Sequence, residues 1–115
     1  MSDVLSESDE WGERLRTLRA QLQAELEEGR EAAKPVDLGQ AIGRLTRMDA
    51  LQQQQMAVAR VERLRKRLQA VSAAIARVQA GTFGECVDCG EEIEPRRLEA
   101  RPETFFCLSC QRGRS

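Results

Sequence analysis

The chain contains no histidine. That removes imidazole from every role it could play: His-based general acid–base catalysis, Ser-His or Cys-His triads, and haem or zinc ligation through a ring nitrogen. Aromatic side chains are almost as scarce. Trp11, Phe83, Phe105 and Phe106 are the only ones in 115 residues, so a rounded globule would lack large anchors for its core. No apolar run approaches the roughly 18 residues that span a membrane. The first residues, Met1 to Leu5, lack the basic-then-apolar pattern of a secretory signal. These absences lead us to expect a soluble, cytoplasmic chain with no membrane partner. A net charge of −1 gives no overall basic field for nucleic acid.

What the chain does have is charge and helix-forming residues. Charged residues make up 32% and hydrophobic ones 41%, with a mean hydropathy of −0.52. Ala, Leu, Gln, Glu and Arg dominate, which fits long exposed helices. The length is that of one small domain, or of one with an extended arm. Charge is unevenly placed. Residues 1–33 carry nine acids and four bases, residues 34–80 nine bases and three acids, and residues 81–115 seven acids and five bases. The segments are therefore −5, +6 and −2.

Residues 9–33 read as a helix. Ser8 offers an N-cap, with Asp9 and Glu10 in the first turn, where the helix dipole favours acids. Trp11, Leu15, Leu18, Leu22, Leu26, Gly29 and Ala33 recur at steps of three and four on one face. Lys34-Pro35 ends the pattern, because proline disfavours helix in the residue before it. Residues 47–80 read as a second helix with no Gly or Pro inside. Its seam is Val58, Val61, Leu64, Leu68, Val71, Ile75 and Val78, and Gly81 is the natural stop.

The two seams match in antiparallel register. Trp11 with Val78, Leu15 with Ile75, Leu18 with Val71, Leu22 with Leu68, Leu26 with Leu64 and Gly29 with Val61 all have index sums of 89 or 90. The same register sets Glu25 near Arg65, Glu28 near Arg63 and Arg30 near Glu62. Each such pair is worth only a few tenths of a kcal/mol, yet the sign pattern disfavours slipped alignments. The expected fold is mainly α: an antiparallel two-helix coiled-coil hairpin over residues 1–80, paired for about 35 Å, followed by a small finger over 81–115. Residues 34–56 form the overhanging tip. Leu38, Ile42 and Leu45 are placed to fold back on the second helix, and Gln52–Gln55 to be solvated.

The cysteines carry the most specific pattern. Cys86-x2-Cys89 and Cys107-x2-Cys110 are separated by seventeen residues. Two tight turns, each aiming two sulfurs at one ion, complete the tetrahedron of a structural Zn²⁺ site. Gly90 suits the first turn, and Ile93, Leu98, Phe105 and Phe106 offer a small apolar core. Two disulfides would use the same four residues in an oxidising compartment, and a redox CxxC would need a thioredoxin-like setting. A four-thiolate zinc site has no open position for substrate, and no nucleophile–base pair or phosphate loop is visible, so the chain reads as a non-enzyme. Four thiolates and one Zn²⁺ bring the finger to about −4, a poor match for phosphates.

The stretch Gly81-Thr82-Phe83-Gly84-Glu85-Cys86-Val87-Asp88-Cys89-Gly90-Glu91-Glu92-Ile93, then Arg96-Arg97-Leu98-Glu99-Ala100-Arg101-Pro102, then Cys107-Leu108-Ser109-Cys110, resembles the DksA/TraR C4-type zinc-finger family. The resemblance implies a transcription regulator that binds bacterial RNA polymerase rather than specific DNA. It implies a coiled-coil tip that enters the secondary channel and modulates initiation. The family's acidic tip pattern, Asp-x-x-Asp-x-Ala, falls on Lys34-Pro35-Val36-Asp37-Leu38-Gly39. Asp37 fits the second acid, Lys34 replaces the first and Gly39 replaces the alanine. Asp37, Lys34 and Asp49 are the candidate tip residues. Arg60, Arg63, Arg65, Lys66 and Arg67 could meet an acidic channel rim. A link to the alarmone ppGpp is also implied. Arg101 is the candidate effector-binding residue, whereas Ala70 and Gln111 stand where family members often supply other bases. The residues alone leave two other readings open: a zinc-stapled coiled-coil adaptor for another protein, and a zinc-ribbon nucleic-acid binder using the arginines of 60–67 with Arg96, Arg97 and Arg101.

Overall fold

The computed structural model describes residues 2–35 and 43–114. Four helices follow one another: α1 (Ser2–Ala32), α2 (Arg44–Ala80), α3 (Pro95–Ala100) and α4 (Leu108–Arg114). The molecule measures 66 × 31 × 19 Å, an elongation set by α2, whose 37 residues span about 55 Å at 1.5 Å per residue. Among the described residues there is no strand, only an isolated antiparallel bridge between Glu85 and Glu92. No described helix is long and apolar enough to cross a membrane.

α1 and α2 form the expected antiparallel hairpin. A methyl group at Gly29 would lie 3.4 Å from Val61 Cγ2, and one at Gly12 would lie 3.6 Å from Val78 Cγ1. Both pairs have the index sum of 90 read from the seams. Leu15, Leu22, Leu26, Val61, Leu64, Val71 and Ile75 are buried in one cluster, with Leu18, Leu68 and Val78 packed against it. Ala74, outside the expected seam, is fully buried beside Ile75. α2 stops where the sequence indicated. Gly81 takes φ +80, and Thr82 N–H donates to Arg77 O while Gly81 N–H donates to Val78 O. This is a Schellman cap, which needs the left-handed residue that glycine supplies at no steric cost.

Four expectations are corrected. α1 begins at Ser2, not after a cap at Ser8. No Gly or Pro lies between Ser2 and Ser8, so continued backbone hydrogen bonding outweighs the capping preference of one serine. α2 begins at Arg44, with extended Gly43 as its boundary. Val58 is 45% exposed and is not in the core. Two successive three-residue steps, Leu64 to Val61 to Val58, each rotate the seam by about 60° on a helix of 3.6 residues per turn, which carries Val58 off the buried face. Trp11 packs on the finger cluster and not on the hairpin seam, although it lines one pocket with Val78. Gly12 takes the seam position facing Val78 and the indole turns towards the finger, 5.2 Å from the Phe83 ring.

The cross-helix ion pairs are also replaced by pairs within each helix. Arg30 bonds Glu27 at 3.2 Å and Arg65 meets Glu62 at 3.6 Å. A neighbour one turn away is reached without stretching a long side chain across the seam.

Pairing continues towards the tip as far as Gln54. Its amide donates to Lys34 O at 3.2 Å and Ala33 O at 3.5 Å, satisfying carbonyls left open at the end of α1. Gln54 is thus half-buried at a joint, not a solvated residue like exposed Gln52, Gln53 and Gln55. Gln54→Ala is expected to cost about 1 kcal/mol, lowering the melting temperature by about 4–8 °C. Thermal denaturation followed by circular dichroism checks this, and an unchanged midpoint would remove Gln54 from the joint. Leu38, Ile42 and the Leu45 side chain lie outside the described residues, so their expected packing is left with the sequence.

Candidate metal centre and the groove beside it

The finger begins as the chain leaves the cap at Gly81. Cys86 N–H donates to Glu91 O at 2.8 Å and Gly90 N–H donates to Cys86 O at 2.9 Å. This closes a tight turn that carries Cys86 and Cys89 on one side. Gly90 sits at φ +77, the left-handed conformation the turn requires. The second pair is set by α4: Gln111 N–H donates to Cys107 O at 2.9 Å, so Cys107 and Cys110 lie one helical turn apart. The halves are tied by Val87 N–H donating to Phe105 O at 3.0 Å. At the far end of α4, Arg114 bonds Asp88 at 2.9 Å and lies over the Phe106 ring.

The four sulfurs lie within 4.8 Å of one another, with Cys89 Sγ 3.7 Å from Cys107 Sγ. Zinc–thiolate bonds of about 2.3 Å in a tetrahedron put sulfurs about 3.8 Å apart, so the cluster has the size of one zinc site. Its electrostatics agree. The Cys107 backbone N–H, with help from those of Cys89 and Asp88, pulls the Cys86 thiol down to about 6 against its burial. The Glu91 N–H favours the Cys89 thiolate, but burial and the sulfurs of Cys86 and Cys107 outweigh it and leave Cys89 raised. Cys110 is pushed up, first by its hydrogen bonds with Cys107 and Cys86. Four thiolates this close repel, and a dication at their centre removes that conflict. The free cysteines form no disulfide.

Cys86, Ile93 and Leu98 form the buried core of the finger, with Phe83, Phe106, Cys107, Cys110 and Trp11 packed on it. Phe105, expected in that core, is 38% exposed and packs against Phe106 with ring centroids 4.5 Å apart and a 47° tilt. Its place inside is taken by Phe83 and Trp11, which no cysteine spacing marks. The finger is fastened to both hairpin helices. Arg14 of α1 grips Glu99 through both oxygens, at 3.0 and 3.3 Å, and also covers the Trp11 ring. This hydrogen bond holds the Glu99 carboxyl below its ordinary value. Arg67 of α2 bonds Glu103 at 2.9 Å.

Arg101, the candidate effector residue, is exposed on the wall of a groove of about 800 Å³ between α2 and the finger. Arg60, Arg63, Lys66, Arg67 and Arg97 line the same groove. The basic run of α2 thus joins Arg97 and Arg101 of the finger, two of the three arginines grouped with it from the sequence, while Arg65 and Arg96 do not line the groove. Ala70 and Gln111 also reach this wall. At the other end, Lys34 pairs with Glu31 at 3.0 Å and Asp49 is exposed on α2. Asp37 lies outside the described residues.

Fold and sulfur cluster together define a C4-type zinc-finger protein built on a helical hairpin. Residues 81–115 match the family described as prokaryotic dksA/traR C4-type zinc finger. Over 50 residues the chain is 42% identical to the RNA polymerase-binding transcription factor DksA of Haemophilus influenzae, covering 44% of this chain and 34% of that protein. The like-named protein of Escherichia coli is 40% identical over 50 residues, 33% of its length. The aligned stretch therefore spans only a minority of these relatives. The whole-chain likeness is structural: transcription factor DksA2 from Pseudomonas aeruginosa superposes with a TM-score of 0.74 at 28% identity, over 95% of this chain and 83% of that one.

Proposed function

We propose that this protein is a non-enzymatic, cytoplasmic transcription regulator that binds bacterial RNA polymerase and makes no sequence-specific DNA contact. In this reading the unit of residues 1–80 is the probe and that of 81–115 is the zinc-held base. The tip, with Asp37, Lys34 and Asp49, enters the secondary channel and alters initiation. The observation that carries the reading is the division of the molecule. The metal centre packs on one end of the hairpin through Trp11, Arg14 and Arg67. The last described contact between the helices, Gln54 with Lys34, lies at the other. Asp49, beyond Gln54 on the side away from the finger, is exposed and available to a partner. The curated relatives named as polymerase-binding factors align over less than half of this chain, so the partner is inferred from the combined likeness of finger and fold.

Zinc supplies structure here, since four protein ligands close the coordination sphere. Lys34 and Asp37 give this tip a mixed charge, and Lys34 is already paired with Glu31. Arg101 and its neighbours are where a ppGpp-like effector would approach.

Co-purification of the zinc-loaded protein with core RNA polymerase tests the proposal. Binding at micromolar concentration is expected for the full chain and not for a version lacking residues 34–56. Asp37→Ala is expected to abolish the effect on transcription with helicity unchanged. Absence of binding by the full chain would sink the polymerase reading and favour a zinc-stapled adaptor for another protein. Regulation surviving in Asp37→Ala would sink the tip assignment alone.

A further inference from the structure

Among the described residues, Glu103 is the buried charged side chain, only 5% exposed. It sits in the wall of the cationic groove between α2 and the finger. The turn that places it is short: Thr104 N–H donates to Arg101 O at 3.0 Å, with Pro102 at the first corner, where its fixed φ suits a turn. That turn swings the carboxylate of Glu103 inward while Arg101 stays on the rim. One oxygen, Oε2, takes Arg67 Nε at 2.9 Å and faces Arg101 Nη1 at 3.9 Å. The other, Oε1, is buried with no hydrogen-bond partner.

This is an unusual place for an acid. Among the described residues, six cations line the groove, and apart from Glu103 the only acid there is exposed Glu25. Burying a carboxylate with one oxygen unsatisfied is costly, so Glu103 is held there by the field of the surrounding cations. An external phosphate would be held by that same field.

We infer that Glu103 is a built-in counter-anion: it sits in the wall of the cationic groove, offsets the charge of Arg67 and Arg101, and makes the groove discriminate against free phosphate anions. The residue thus sets what the groove accepts. With the carboxylate present, an incoming multivalent phosphate must share two of its six cations with a fixed negative charge. With an amide in its place, half-buried Arg67 and exposed Arg101 become available for charge-assisted contacts with the anion. The inference rests on the groove alone and does not need polymerase binding; it counts against Arg101 as the site of a ppGpp-like effector on the free chain, so that effector assignment and this inference stand opposed while polymerase binding can fail or hold apart from both.

The test is titration of the zinc-loaded full chain with inorganic pyrophosphate by isothermal calorimetry at physiological salt. The wild type is expected to bind only in the millimolar range. Glu103→Gln is expected to bind at least tenfold more tightly, and Glu103→Ala likewise. Glu94→Gln makes the same change in net charge on the same finger, at an exposed residue outside the groove whose side chain makes no cap hydrogen bond, and is expected to leave the wild-type affinity unchanged. Micromolar binding by the wild type would overturn the inference without any variant. So would folded Glu103 variants that bind no more tightly than the wild type, or an equal gain in Glu94→Gln, which would make the effect one of overall charge.

Discussion

Stripping the metal with a chelator is expected to unfold the finger while the hairpin stays helical. The finger buries only Cys86, Ile93 and Leu98 as its own core, too little to fold a unit of this size without a staple. Structural zinc contributes an apparent ~10–16 kcal/mol in small fingers, and that energy is folding energy. The hairpin has an independent core from Leu15 to Ile75. Of the 81 described residues in helices, α3 and α4 hold 6 and 7, while α1 and α2 hold 31 and 37. Helical circular dichroism should therefore fall by the share of those 13 residues only. The single tryptophan gives a second signal. Trp11 is held between Phe83 and Arg14, so its fluorescence should change as the finger detaches, and should recover on adding zinc. Loss of all helicity together with the metal would mean that the hairpin depends on the finger. Protons compete with zinc for the four sulfurs, so acidification should release the metal and reproduce the same partial unfolding.

The second large effect is in the hairpin. Leu22→Ala should destabilise it by ~2–5 kcal/mol, the usual range for truncating a buried leucine. Leu22 is 2% exposed in the middle of the seam, and a two-helix interface has no second layer to close over the cavity. Against a total stability of ~5–15 kcal/mol for small domains, that loss leaves a marginal fold. Val58→Ala is the informative comparison. Periodicity places Val58 in the seam, whereas the structure exposes it, so its truncation should cost under ~0.5 kcal/mol. Urea denaturation of both variants decides. A large loss at Val58 would restore the sequence seam and contradict the packed one.

Much of this architecture was legible because its signals are local. Leucines and valines at helical spacing mark α1 and α2, glycine marks the end of α2, and proline follows the end of α1. The antiparallel register was legible too, from seams whose index sums agree along their length. Gly29 against Val61 fulfils it. The ends of the seams were less legible. A run of three-residue steps rotates Val58 off the core, and the largest side chain of α1 leaves the seam for the finger. Pattern matching counts apolar positions and does not weigh which surface a bulky ring can best cover.

By itself, the sequence determined two helices, their pairing and a four-thiolate metal site, because each follows from backbone periodicity or from ligand spacing. Only the tertiary structure decided how the finger sits on the hairpin. That arrangement depends on Arg14 meeting Glu99 and Arg67 meeting Glu103, partners 85 and 36 residues apart. It also depends on Trp11 covering Phe83. Such contacts have no fixed spacing along a chain, and each acid and base has many competing partners of similar energy. Only packing in three dimensions selects among them, and it turns one glutamate of the finger into the buried counter-charge of a groove made largely by another helix.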